Sequence, residues 1–191
     1  SKMLHDSKKK TIFYDNALIK IYNIPVFYSP RLSHPDPTVK RRSGFLVPSF
    51  QDSRNLGEGI SVPYFWAINK DKDLTFTNKL YASENPLFLG EYRQALKNSN
   101  LIFDFGYTDG YKETSAIKKS GDKNHFFSKF VKNFSKIDNN SESTLSITTQ
   151  NTNNDKYFKL YKIDSELVSN EIDNLENTLR FTHTSDEMFF G

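Results

Sequence analysis

Between Leu101 and Thr108 apolar and polar residues alternate one by one. Leu101, Phe103, Phe105 and Tyr107 fall on one face of an extended chain, and Ile102, Asp104, Gly106 and Thr108 on the other. A period of two predicts a β-strand with one apolar wall and one mostly polar wall. The same pattern recurs along the chain. In 90–96, Glu91 and Arg93 share a face opposite Tyr92 and Leu96, and Phe126, Phe130 and Phe134 lie opposite Lys129. Strands are predicted over 43–51, 59–69, 73–83, 86–98, 100–109, 124–135, 142–152 and 174–184. Turn residues separate them, at Arg54-Asn55-Leu56-Gly57, Asn69-Lys70-Asp71, Asn98-Ser99-Asn100 and Asp138-Asn139-Asn140. The fold class read from this pattern is all-β, an antiparallel up-and-down meander.

Most of these strands match the roughly 9–11 residues that a tilted strand needs to cross a bilayer. Charges at their middles require water, so Glu91, Arg93 and Asp104 are expected to face the lumen of a barrel. In a soluble antiparallel β-sandwich binding module the same charges would face bulk solvent, and the alternation alone leaves both architectures open. No apolar run approaches the roughly 18 residues of a membrane helix, which excludes helical spans and says nothing against a barrel.

Upstream of the meander the pattern is looser. Thr11 to Tyr28 reads as a short hairpin, Thr11–Tyr14 and Ala17–Tyr22, turning at Asp15-Asn16 and continuing into Val26–Tyr28. Four prolines between Pro25 and Pro37 make the next stretch extended and turn-rich, and 29–42 reads as a linker. Pro48 and Pro63 then stand inside the first two predicted strands. A proline gives the ladder no donor, so the sheet is expected to be weakly closed there. Near the other end, Leu167, Val168 and Ile172 allow a single helical turn within 165–174.

Composition sharpens this picture. Hydrophobic residues make up 36%, low for a compact core, yet aromatics reach 15%, with 17 Phe and 10 Tyr. Disordered chains are poor in aromatics. A polar average with many aromatics fits strands with one polar and one apolar face. A net charge of +3 is too small and dispersed to argue for nucleic acid, and the runs Lys8-Lys9-Lys10 and Lys40-Arg41-Arg42 read as solvated faces or interfacial anchors. The absence of cysteine excludes disulfides and thiolate metal sites within these residues. The four histidines His5, His34, His125 and His183 show no metal-ligand spacing. No nucleophile-elbow, dinucleotide or P-loop motif occurs. His34-Pro35-Asp36-Pro37 is rigid turn chemistry. No cofactor and no enzymatic activity are expected. Tyr64, Phe65 and Trp66 sit at a strand end and read as interfacial aromatics.

The blocks PVFYSP, HPDPTVKRRSGFLVPSF, SVPYFWAINKDKDLTFTNKLY and LGEYR, in this order, resemble the start of the barrel domain in the LPS-assembly outer-membrane protein family. Weaker similarity runs on through NDKYFKLYKID at 154–164, so that the resemblance covers the chain from about Ile12 onward. It implies a partial transmembrane β-barrel preceded by a short jelly-roll remnant, with 1–28 the end of a periplasmic domain, 29–42 the linker and 43–191 the first barrel strands. It further implies a piece of a longer secreted chain, in the outer membrane of a Gram-negative bacterium, that inserts lipopolysaccharide into the outer leaflet. The implied partners are lipopolysaccharide, an outer-membrane lipoprotein plug and a periplasmic bridge of jelly-roll proteins. The lipid would leave sideways at the seam between the first and last strands, and Pro48 and Pro63 match the seam. Family members often link their two domains by disulfides, for which this sequence has no cysteine. With the N-terminal part periplasmic, turns near Asn69, Asn98 and Asp138 would be short and periplasmic. Segments near Arg54 and Glu84, with 111–123 and 153–173, would be extracellular.

Overall fold

The computed structural model describes residues 2–6, 11–21, 24–35, 41–135, 141–154, 156–171, 174–185 and 189–190. Two antiparallel sheets account for most of them. The smaller sheet holds β1 (Lys2–Asp6), β2 (Thr11–Ile21) and β3 (Ile24–Pro35), in that order. The hairpin expected around Asp15-Asn16 does not form. β2 runs straight through it, and Asn16 instead takes a left-handed φ of 54°. The pairs Asp15↔Arg31 and Ala17↔Ser29 set Asn16 against Pro30. Proline offers no N–H there, so the ladder tolerates a kink, and asparagine is among the few residues that adopt one at low cost. The same pairing carries β3 through 29–35, a stretch that the prolines suggested was a connection. The Asp36-Pro37 half of the rigid turn lies outside the described residues.

The larger sheet is a meander. It holds β4 (Gly44–Phe45), β5 (Ser49–Ser53), β6 (Gly57–Asn69), β7 (Lys72–Tyr81), β8 (Leu87–Leu96), β9 (Ser99–Gly110), β10 (Ser120–Ser135) and β11 (Ser141–Thr152). A helix α1 (Lys156–Tyr161) precedes β12 (Thr178–Ser185) and β13 (Phe189–Phe190). Each strand from β6 to β13 pairs with its neighbours in sequence, and β4 and β5 both pair with β6. The expected all-β meander is therefore present, with strand limits close to those read from the pattern. Connections at one end are short, such as the turn where Asn98 adopts a φ of 58°. The turn expected at Asp138 lies outside the described residues. At the opposite end the connections lengthen, to 111–119 and 153–177.

The first expected strand, 43–51, is broken. Phe45 pairs with Tyr64 and Ser49 with Ser61, so three residues, 46–48, stand against two, 62–63. This is a bulge, and Pro48 lies in the gap between β4 and β5 instead of inside a strand.

Alternation gives the sheet two chemically distinct faces. One carries Phe45, Tyr64, Trp66, Phe76, Phe88, Tyr107, Phe126, Leu179 and Phe181, all exposed, with Leu179 at 74% and Trp66 at 51%. Rings meet across strands on this face: Phe76 and Phe105 at 6.2 Å, Tyr92 and Phe103 stacked at 6.1 Å, Phe103 and Phe126 at 5.6 Å. Such cross-strand aromatic pairs contribute on the order of 0.5–1 kcal/mol each. Gly90 makes room for one of them, since a Cβ there would come within 2.2 Å of the Phe105 ring. We call this the outer face. The inner face carries Asp73, Glu91, Arg93, Asp104, Thr108, Lys123, His125 and Lys129, and the described residues of the segment between β11 and β12, above all 156–168, fold back onto it.

Candidate functional site

The back-folded segment begins with the sequence Lys156-Tyr157-Phe158-Lys159-Leu160-Tyr161-Lys162. Its aromatics fall at positions i, i+1 and i+4, and its lysines on the other side, so one helical turn presents all three rings together. Tyr157, Phe158 and Tyr161 are at most 1% exposed, while Lys156, Lys159 and Lys162 are exposed. Phe158 meets Phe127 at 5.4 Å and His125 at 5.2 Å between ring centres, and Tyr161 meets Tyr81 at 5.9 Å. With Leu56, Leu87, Tyr111, Ile163 and Val168 these side chains form the buried core of the described residues. The core thus lies between the loop and the inner face of a single sheet. The helical turn expected within 165–174 falls earlier, at α1, where the apolar residues have helical spacing.

The helix stops in a Schellman arrangement: Ile163 N donates to Phe158 O at 3.0 Å and Lys162 N to Lys159 O at 3.4 Å. Lys162 holds the left-handed position with a φ of 47°, where glycine would be less strained. A cation from the wall closes this end. Lys79 Nζ, on β7, donates to the carbonyls of Tyr161 at 2.9 Å and Lys162 at 3.0 Å, the terminus where the helix carries its negative dipole end. Gln150 Nε2 reaches Leu167 O at 3.5 Å, and Glu166 N donates to Glu91 Oε2 at 3.4 Å. Burial pushes the Tyr157 and Tyr161 phenols above their ordinary range, so both remain neutral under the loop.

Beneath the loop the wall is polar. Asp104 Oδ1 lies 2.7 Å from His125 Nε2, with Asp104 4% and His125 2% exposed. Glu91 stands directly across from Asp104 in the β8–β9 register. Gly106 allows the loop this close, because a Cβ would lie 2.5 Å from the Tyr157 hydroxyl and 2.6 Å from His125 Cε1. A small cavity remains between Thr75, Thr77, Glu91 and Asp104 of the wall and Asp164 and Ser165 of the loop. No cluster of His, Asp or Glu suited to hold a metal ion occurs among the described residues.

Toward the short-turn end, Asp73 takes two arginines. Its Oδ1 accepts from Arg93 Nε at 2.9 Å and its Oδ2 from Arg41 Nη2 at 2.5 Å. Arg93 also lies 3.6 Å from Glu91. At the sheet edge, Leu46 N donates to Pro63 O at 2.9 Å. A strand residue points its N–H and C=O the same way, so the donor missing from Pro63 faces the β4–β5 gap and not β7. Pro48 and Pro63 therefore meet at one bulge in one strand pair.

The residues singled out from sequence separate as follows. Glu91, Arg93 and Asp104, expected to face a barrel lumen, share one face of the sheet, where Asp104 is closed off under the loop with His125 instead of facing water. Tyr64 and Trp66 share the outer face. Phe65 does not join them: it pairs across from Thr75 on the inner side, which alternation requires of the residue between them. His125, Lys79 and the aromatics of α1 were not anticipated. The i, i+1, i+4 spacing of rings between lysines was the available signal for α1. Nothing local marks Lys79, whose partners lie 82 and 83 residues downstream.

No protein-family model matches the chain. Among curated proteins, an LPS-assembly protein LptD from Nitrosococcus oceani is 39% identical over 88 residues, 46% of this chain and 12% of that protein. This chain is similar to LPS-assembly proteins. The LptD of Shewanella frigidimarina is 41% identical over 88 residues, 46% of this chain and 11% of its own length. That of Yersinia pestis is 35% identical over 96 residues, 50% of this chain and 12% of its own. The chain spans about a tenth of the length of the LptD proteins it matches. The resemblance to the LPS-assembly family read from the ordered sequence blocks is borne out over about half of the chain.

Proposed function

We propose that the larger sheet is one part of the wall of an outer-membrane β-barrel that delivers lipopolysaccharide to the outer leaflet, and that the smaller sheet is the end of a periplasmic jelly-roll domain leading into it. The observation that carries this reading is the outer face. Its aromatics and aliphatics stay exposed on β6 to β10 and on β12, while Asp73, Glu91, Arg93, Asp104 and the loop lie on the other side. In water an apolar surface of this extent would drive association. Against lipid it is the favourable arrangement, because the bilayer replaces the second sheet that a sandwich would need. Similarity to LPS-assembly proteins supplies the cargo.

In this reading 153–177 is an extracellular loop turned into the lumen, and Tyr64 and Trp66 anchor the wall at an interface. The partners are lipopolysaccharide, a lipoprotein plug inside the lumen and a periplasmic jelly-roll bridge protein. The lipid leaves at the seam beside β4 and β5, where Pro48 and Pro63 weaken the edge. The protein acts by conducting its cargo and not by chemical catalysis.

The test uses the full-length protein in membranes, with single cysteines at Phe126 on the outer face and Lys129 on the inner. A water-soluble maleimide should label position 129 and leave 126 to a lipid-soluble reagent. Rapid labelling of position 126 from water would overturn the lipid-facing assignment and favour a soluble sandwich.

A further inference from the structure

We propose that the consecutive residues Arg41 and Arg42 stitch the two sheets together and set their relative position, a role for which this chain has no disulfide. Each arginine holds a different sheet. Arg41 Nη2 reaches Asp73 Oδ2 at 2.5 Å, and its Nη1 donates to the Lys70 carbonyl in the β6–β7 turn. Arg42 Nη1 donates to the hydroxyl of Thr11, the first residue of β2. Both anchors are withdrawn from solvent, Asp73 being 6% and Thr11 4% exposed. The two contacts flank the place where β3 and β4 approach each other. The chain contains no cysteine, so no covalent link within these residues can do the same work.

The chemistry explains why arginine stands at position 41. Asp73 is nearly closed off, and its two oxygens are divided between Arg93 on the wall and Arg41 on the incoming segment. A carboxylate in that setting needs both partners, because removing one leaves part of a buried charge unpaired. The planar guanidinium binds the carboxylate and a backbone carbonyl together in one fixed orientation. A lysine ammonium is a single point charge on a flexible stem and fixes direction less well. The stitch rests on these contacts alone and does not depend on the lipopolysaccharide reading.

The experiment uses the full-length protein in detergent, with nitroxide labels at Ser33→Cys on β3 and Lys97→Cys in the β8–β9 turn, both exposed. Pulsed electron paramagnetic resonance reads the distance distribution between them. Arg41→Ala and Arg42→Ala should each broaden it at least about twofold, and Arg41→Lys should broaden it as well. The near-isosteric Asp73→Asn keeps the shape of the side chain and removes its charge, and should broaden it as well. Arg31→Ala removes an ion pair with Asp15 inside the smaller sheet and should leave the width unchanged. Unchanged widths in the Arg41 and Arg42 variants, or equal broadening from Arg31→Ala, would overturn the proposal.

Discussion

Truncating Phe158 should release the inward loop while leaving the wall intact. The ring is 1% exposed and touches Phe127, His125 and Tyr157 at 5.4, 5.2 and 5.3 Å between centres. Phe-to-Ala changes at such positions cost about 3–5 kcal/mol, because the burial of the ring is lost and a cavity remains. Phe127 and His125 belong to the wall and Phe158 to the loop, so the loss falls on docking of the loop. Each 1.4 kcal/mol is about a factor of ten in an equilibrium, so the loop-open population should rise on the order of a hundredfold to a few thousandfold. The amide of Ile163 reports this directly, since its hydrogen bond to Phe158 O at 3.0 Å exists only in the docked helix end. Hydrogen exchange on the full-length protein should show protection at Ile163 falling by that factor. Amides of the β9–β10 ladder should keep theirs, and Ile117→Ala, at a side chain 93% exposed, should change neither. A fall of less than about tenfold at Ile163, or an equal fall along β9 and β10, would refute the idea that this cluster docks a separable loop.

Lys79→Met keeps the length of the side chain and removes both bonds to the helix end. Hydrogen bonds from a charged donor contribute about 1.5–3 kcal/mol, so limited proteolysis within 153–177 should accelerate roughly tenfold or more, and Lys79→Arg should recover part of the protection. Replacing Pro48 and Pro63 together by Ala should restore donors at the bulge, tighten the β4–β6 edge and lower lipopolysaccharide at the cell surface with barrel assembly unaffected. Normal surface lipopolysaccharide in a normally assembled double variant would leave the prolines as devices of shape alone.

Much of the architecture was legible because a strand declares its faces locally. Phe103 against Asp104 and Phe126 against Lys129 needed only a period of two. What the pattern missed involves partners far apart in sequence. Asp104 finds His125 21 residues later, and only the β9–β10 register brings them onto one wall. An inner charge was read as a charge in water, because nothing in 99–110 tells that 153–177 will cover it. The prolines misled differently. Those at 30 and 35 were weighted as breakers, but β3 needs no donor at those positions, and the strand continues. Pro48 did break its strand, because its position fell in the bulge.

The two faces invert the usual logic of a folded chain. The larger sheet exposes Phe181 and Leu179 and buries Asp104, His125 and Thr108, the reverse of a soluble domain. This inversion is stable only if two different media meet the two faces. In the proposed barrel a bilayer would accept the rings of the outer face without the cost of hydrating them. On the inner face the polar row cannot supply a hydrophobic core by itself, so packing must come from elsewhere. Segment 153–177 provides it, with α1 contributing three rings and the wall answering with Leu87 and Phe127. The price is that polar groups under the loop lose water: Asp104 is matched by His125 and the helix carbonyls by Lys79, while His125 Nδ1 and the Tyr157 hydroxyl have no hydrogen-bond partner. A loop held by one aromatic cluster and a few point contacts can come off without unpairing a strand. A second sheet in its place could not leave without unfolding the domain. In the proposed barrel, that separation of wall from filling is what would let a passage stay closed between transfers and still admit a large amphipathic cargo.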